Sequence, residues 1–167
     1  MTEAAIVDRR GTLPTRAGAE PYQRRKLSDI AYIVVHHTDV TPTRFTARQV
    51  AEYHVSAGAH LPFPSIAYQL YVEADGTVEQ VADLEEVSWH AGQAGDDTIA
   101  GVSVKNWRGA AICFAGNEPT EAQIAGIREA CRWIEEQTDK ALPRYGHKDL
   151  SATECPGVTW EKWRHRI

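Results

Sequence analysis

The sequence predicts a single mixed α/β domain built around one β-sheet. Short β-rich apolar runs alternate with two segments of helical periodicity, each helical segment opens on a capping box, and a chain of 167 residues suits one domain rather than two. In chain order, residues 1–28 come first: they are polar and basic, with Gly11, Pro14, Gly18 and Pro21 interrupting any regular pattern and Arg24-Arg25-Lys26 near the end. They read as an irregular N-terminal arm packed on a domain spanning 29–167, and the basic run reads as a solvated surface stretch.

Ile30-Ala31-Tyr32-Ile33-Val34-Val35 is a continuous apolar run, the pattern of a strand buried on both faces, and it ends in His36-His37-Thr38. Thr46-Ala47-Arg48-Gln49 is a capping box, so a helix is expected through about Ala57 with Gly58 as its stop. Residues 66–73 and 77–81 are expected to pair as strands across the turn Ala74-Asp75-Gly76. Residues 110–115 form another short apolar strand. Pro119 precedes a second capping box, Thr120-Glu121-Ala122-Gln123, and Ile124, Ile127, Cys131 and Ile134 follow at helical spacing, which marks the long amphipathic helix. Pro143 interrupts the chain before a short segment to His147, and Thr159 is placed to cap a last short helix carrying Trp160 and Trp163.

Composition narrows the function. Hydrophobic residues make up 43% and charged residues 25%, which describes a globular chain and excludes a disordered or fibrous one. A net charge of −5 removes the electrostatic basis for binding nucleic acid. No run approaches the roughly 20 apolar residues of a membrane span. The opening Met-Thr-Glu-Ala-Ala-Ile-Val-Asp-Arg-Arg lacks a signal-peptide core, so accumulation in a cytoplasm is expected. Three cysteines, Cys113, Cys131 and Cys155, cannot all pair, and they are expected as reduced thiols with one a metal-ligand candidate.

The chemistry concentrates near the C-terminus. His147 and Cys155 stand eight residues apart on a turn-rich loop, a spacing that lets an imidazole and a thiolate reach one ion, and zinc accepts both donors. The end of the buried strand, at His36, is well placed for a third ligand. Neighbouring strand residues face opposite ways, so the residues alone do not choose between His36 and His37. Three protein ligands would leave a fourth position open, the arrangement of catalytic rather than structural zinc. The plainer alternative is a satisfied histidine beside an ordinary buried thiol.

Four blocks occur in order over roughly four fifths of the chain: Val34-Val35-His36-His37-Thr38, Ser65-Ile66-Ala67-Tyr68, Trp89-His90-Ala91-Gly92, and Gly146-His147-Lys148-Asp149 through Thr153-Glu154-Cys155-Pro156-Gly157. Together they resemble the type 2 N-acetylmuramoyl-L-alanine amidases, a family that includes phage T7 lysozyme and the catalytic peptidoglycan recognition proteins. The resemblance implies a Zn2+ site of His36, His147 and Cys155, with Tyr68 and Thr153 beside the metal as catalytic residues and His37 left to packing or to orienting a ligand. It implies a fold with a central mixed β-sheet flanked by helices, and hydrolysis of the amide between N-acetylmuramic acid and L-alanine of peptidoglycan, with Tyr68 or Thr153 stabilising the oxyanion, or Tyr68 instead orienting the water. It also implies activity, because non-catalytic recognition proteins lack the thiolate of Cys155.

Two departures qualify the pattern. The strand Ala111-Ile112-Cys113-Phe114-Ala115-Gly116 carries no acid where cell-wall recycling amidases have a carboxylate, and some relatives have lysine at the position of Thr153. The expected protein is therefore a monomeric phage or prophage endolysin that waits in the host cytoplasm until lysis. The rivals are a cytoplasmic muropeptide-recycling amidase and a non-catalytic peptidoglycan-binding module. Cys113 and Cys131 are expected as core thiols, with a strand-to-helix disulfide as the alternative, and Trp133 as core. His54 and His90 are candidates to border a substrate groove, Trp89 or Trp107 to contact sugar or stem peptide, and Arg44, Lys105 and Arg108 to meet stem-peptide carboxylates. His60 and His165 carry no signal.

Overall fold

A computed structural model describes residues 6–40, 45–56, 58 and 63–167. The apolar runs assemble into one six-stranded sheet. Its strands, in spatial order, are β1 (Val7–Asp8), β4 (Val78–Gln80), β3 (Leu70–Val72), β7 (Gly109–Phe114), β2 (Tyr32–His37) and β8 (Arg144–Gly146). All neighbours run parallel except β3 and β4, which form the hairpin about Asp75-Gly76. A separate two-stranded ribbon, β5 (Thr98–Ile99) with β6 (Val102–Ser103), precedes the short helix α2 (Val104–Arg108).

Alternation along the strands sorts side chains to two faces. Ile33 and Val35 of β2, Ile112 and Phe114 of β7, and Leu70 and Val72 of β3 cover one face. There they meet Ile124, Ile127, Cys131 and Ile134 of α3 (Glu121–Thr138) and the indoles of α5 (Trp160–Trp163). Burying one such side chain contributes about 1.5–3 kcal/mol. The other face, with Tyr71 and Cys113, packs against Ala47, Val50 and Ala51 of α1 (Ala47–Val55).

Both long helices start where their capping boxes fall. Thr46 Oγ accepts from the Gln49 N–H at 3.3 Å, and Thr120 Oγ from the Gln123 N–H at 3.2 Å. The buried Gln123 amide also donates to the Ala115 carbonyl at 2.7 Å, tying the start of α3 to the end of β7.

Several expectations change. The α1 helix stops at Val55, and Ala57 lies outside the described residues. The strand expected over 66–73 begins only at Leu70, because the Ala67 N–H donates to His54 Nδ1 at 3.1 Å instead of to a neighbouring strand. Arg25 is not a solvated surface residue. It is 5% exposed, and its guanidinium donates to the carbonyls of Leu84, Asn106, Trp107 and Gly109. Within the N-terminal 28 residues, β1 adds to the sheet edge and Tyr22 is buried. Cys113 and Cys131 are free thiols on opposite faces of the sheet, so the sheet itself prevents their disulfide. Trp133 is partly buried against the core.

The approach of α3 to the β3–β4 hairpin depends on Gly126. A Cβ there would lie 2.5 Å from the Gly76 carbonyl oxygen and 2.8 Å from Val72 Cγ1. Gly126→Ala gains roughly 1 kcal/mol of helix propensity but meets backbone that cannot rotate away, a clash of roughly 1–3 kcal/mol. The expected result is a lower urea midpoint with an unchanged m-value; an unchanged or higher midpoint would contradict this packing account.

Candidate metal centre

Parallel pairing brings three chemically distinct groups to one edge of the sheet. β2 lies between β7 and β8, with Val35 opposite Gly146 and His36 opposite Cys113. The chain leaves β8 at Gly146 and enters α4 (His147–Leu150), so His147 emerges beside the carboxyl end of β2. Gly146 is required there: a Cβ would sit 2.7 Å from Pro156 Cδ and 2.9 Å from the Trp160 indole. Asp149 clamps this junction, accepting from the Gly146 N–H at 2.7 Å and from Trp160 Nε1 at 2.9 Å. The following loop then folds back, and the Lys148 N–H donates to the Cys155 carbonyl at 2.7 Å.

Donor atoms of His36, His147 and Cys155 consequently lie within 4.8 Å of one another. His36 is fully interior, whereas His147 and Cys155 are half-buried and line the solvent side. The His36 Nδ1 to Cys155 Sγ separation is 3.6 Å. A tetrahedral zinc with bonds of about 2.05 Å to nitrogen and 2.3 Å to sulfur would separate such a pair by about 3.6 Å. The Cys155 sulfur also accepts from the His37 N–H at 3.4 Å, a donor suited to a thiolate. The donor set and its spacing fit zinc.

The choice between the adjacent histidines follows from the face each occupies. His36 shares its face with Cys113, while His37 turns to the other side, where its ring lies near Phe114 and its Nδ1 stands 3.3 Å from the Asn117 carbonyl. His37 reaches the site through its backbone only.

The other candidates divide. The Tyr68 ring lies between those of His36 and His54, at 5.2 and 5.5 Å. Burial, and then the nearby Cys113 and Cys155 sulfurs, hold its hydroxyl above the ordinary phenol range, so it is a neutral O–H donor. Thr153 Oγ accepts from the Cys155 N–H at 3.3 Å, which leaves its hydroxyl proton for another acceptor. His54 is buried rather than facing a groove. Lys105 is held by Asp96 at 2.7 Å and donates to Ser151 Oγ at 3.4 Å. Arg108 is exposed, and Arg44 and His60 lie outside the described residues. Trp89, 44% exposed, lines a cleft of about 590 Å³ with Phe63, His90, Gln93 and Ser103. A cavity of about 650 Å³ under the N-terminal arm contains none of the predicted site residues.

His90 is the residue that sequence reasoning undervalued. It is buried with Nδ1 3.0 Å from His36 Nε2, though 54 residues separate the two in the chain. Spacing gives no signal for such a contact; only the recurrence of His90 within a block shared with the other site residues hinted at it.

Burial keeps these imidazoles neutral. It depresses His36, and takes His54 and His147 from 6.5 to about 4 and His90 to about 3; Lys105 adds to the effect at His147 and Arg25 at His90. Burial also pushes the Cys155 thiol up to about 12, so cation binding must displace its proton.

Near pH 6.5 the unfolded chain takes up protons that the folded rings refuse, so stability is fully present above that pH and lost as pH falls through the folded values. The loss approaches about 1.4 kcal/mol per pH unit for each fully buried ring and less for half-buried His147. The chelator-treated protein should therefore show a Tm that is flat from pH 7 to 8 and falls from 6.5 to 5. A flat profile over the lower window would mean that these rings are already protonated in the fold.

The N-acetylmuramoyl-L-alanine amidase family model matches residues 26–158 of the chain. Peptidoglycan-recognition protein SC1a of Drosophila melanogaster is 25% identical over 152 residues, covering 81% of this chain and 75% of the relative. The Ph2119 endolysin from Thermus scotoductus MAT2119 bacteriophage superposes with a TM-score of 0.71 at 21% identity, covering 97% of this chain and 98% of the endolysin. N-acetylmuramoyl-L-alanine amidase LysC from Clostridium intestinale URNW gives 0.67 at 23% identity, with 97% and 96% covered. Peptidoglycan recognition protein-LE, solved with tracheal cytotoxin, a monomeric diaminopimelic acid-type peptidoglycan, gives 0.72 at 20%, with 96% and 93% covered. At these identities the solved structures show a shared fold.

Proposed function

Because the chain belongs to the N-acetylmuramoyl-L-alanine amidase family, we propose that it is a zinc-dependent amidase cutting the bond between N-acetylmuramic acid and L-alanine of peptidoglycan. The observation that carries this reading is the convergence of His36, His147 and Cys155, with an intact thiol donor, at the carboxyl edge of the sheet. These three residues would hold the ion, and a three-ligand protein set is the arrangement of catalytic rather than structural zinc. Zinc so held supplies a Lewis acid for the scissile carbonyl and brings the pKa of water to about 7.

The chain's own residues do the rest. The neutral Tyr68 hydroxyl donates to the carbonyl oxygen as negative charge develops there, and the Thr153 hydroxyl is the second donor. His36 and His147 enter the site uncharged, as ligands must. The absence of an acid at Cys113, opposite His36 in the register, favours this tyrosine-assisted chemistry over that of the recycling branch. The biological setting we propose is a phage or prophage lysin that acts as a monomer on the peptidoglycan layer after waiting in the host cytoplasm; the Ph2119 endolysin is among the chain's structural neighbours.

Digestion of purified sacculi tests the reading. New free L-alanine amino termini that vanish with chelator and return with zinc are expected. New reducing sugar ends would refute it, and binding without release would leave a recognition module, the role that the similarity to recognition proteins keeps in view. Activity confined to soluble anhydro-muropeptides would move the protein to recycling. Tyr68→Phe should keep zinc and lose roughly 10²–10³ in kcat, whereas Cys155→Ala should lose metal and activity together. Full activity in Cys155→Ala would overturn the ligand set.

A further inference from the structure

The structure assigns His90 as the positioning residue for the buried ligand His36, setting which of that ring's nitrogens is free to bind metal. This rests on the metal-centre reading above. The direction of the hydrogen-bond chain is decided at its far end. His90 Nε2 stands 3.3 Å from the carbonyl oxygen of Gly109, which can only accept. His90 Nε2 therefore carries the proton and Nδ1 holds a lone pair. That lone pair faces His36 Nε2 at 3.0 Å, so His36 Nε2 carries the proton and donates. His36 Nδ1 is left with its lone pair, and it is this atom that lies 3.6 Å from Cys155 Sγ.

The opposite assignment fails on the same geometry. A proton on His90 Nδ1 would leave two lone pairs, those of His90 Nε2 and the Gly109 oxygen, facing each other in the interior. It would also place the proton of neutral His36 on Nδ1, where the metal belongs. Neither error is relieved by solvent, because His36 is 2% and His90 7% exposed.

The surroundings hold both ends of the chain. Asn106 Oδ1, itself buried, accepts from three successive backbone N–H groups, those of His90, Ala91 and Gly92, at 3.0, 2.7 and 3.0 Å. The Gly109 carbonyl is fixed by β7 and also accepts from the buried Arg25 guanidinium at 2.8 Å. Gly109 must be glycine for His90 to approach, since a Cβ there would lie 3.0 Å from His90 Cε1 and 2.8 Å from the Lys105 carbonyl oxygen. The segments bearing Arg25, Asn106 and Gly109 thus converge on one imidazole.

Two variants and one spectrum test this. His90→Phe keeps a ring and removes the acceptor; His90→Asn offers Oδ1 near the position of Nδ1. In competition with a chromophoric chelator, His90→Phe should bind Zn2+ roughly 10–100-fold more weakly than the unaltered protein, and Co2+ should give an altered d–d spectrum in it. His90→Asn should recover most of the affinity. Far-UV circular dichroism of the metal-free variants separates this from misfolding. Should His90→Phe fail to fold, ¹⁵N chemical shifts of the unaltered protein, with and without zinc, still decide: the Nε2–H tautomer is expected for both His36 and His90. Zinc binding within twofold in His90→Phe, equal loss in both variants, or an Nδ1–H tautomer at His90 would overturn the assignment. Failure of the unaltered protein to bind zinc at all would instead overturn the metal centre itself.

Discussion

The parallel pairing of β2 with β8 is the constraint on which the site depends. Parallel strands end on the same edge, and the register of Val35 with Gly146 makes the first residue after β8 a neighbour of the last turn of β2. Ligands separated by more than a hundred residues are thereby set side by side before any loop contributes. The third, Cys155, arrives only because the loop after α4 is pulled back by the Lys148 N–H to the Cys155 carbonyl and by the His37 N–H to the Cys155 sulfur. Two candidate ligands stand at strand ends and one on a loop. This agrees with the general placement of sites in α/β sheets at the carboxyl ends of strands.

Such an edge must bury polar groups, and most of these find partners, although the buried Nη2 of Arg25 has none among the described residues. Gln69 is wholly interior and satisfied on both sides, accepting from the Ala111 N–H and donating to the Glu86 carbonyl and Ser88 Oγ. Asn106 collects three N–H groups, and Arg25 collects four carbonyls. An unpaired polar group in such a position would cost about 1–3 kcal/mol. These pins surround the histidines, so the N-terminal segment and the β7 strand share in holding a site to which they contribute no ligand. The same burial that keeps His36 and His147 neutral makes them ready ligands and makes the metal-free protein sensitive to acid.

Much of this was legible where the cause is local. The capping boxes at Thr46 and Thr120 begin helices because their partners lie three residues away, and Asp75-Gly76 turns a hairpin for an equally short-range reason. The candidate ligand set, whose donor atoms the fold brings within 4.8 Å of one another, follows from the resemblance of four ordered blocks, although residues alone do not choose His36 over His37. That choice is made by which face of the sheet receives the loop bearing Cys155, a tertiary matter. The failures have the same origin. Residues 66–69 have strand-like composition, yet His54 on α1 takes the Ala67 N–H. Arg25 resembles its basic neighbours, yet a ring of carbonyls formed by distant segments draws it inside. His90 is positioned by Gly109 and Asn106, neither of which shares a pattern with it.

The proposed chemistry follows from zinc held at one edge of the sheet by three protein ligands with a position left open. Anomalous diffraction at the zinc edge from crystals of the zinc-loaded protein tests it most directly. One ion is expected, bound by His36 Nδ1, a nitrogen of His147 and Cys155 Sγ, at about 2.0–2.1 Å to nitrogen and about 2.3 Å to sulfur, with a non-protein fourth position. An ion held by four side chains, or bound away from these three residues, would contradict it.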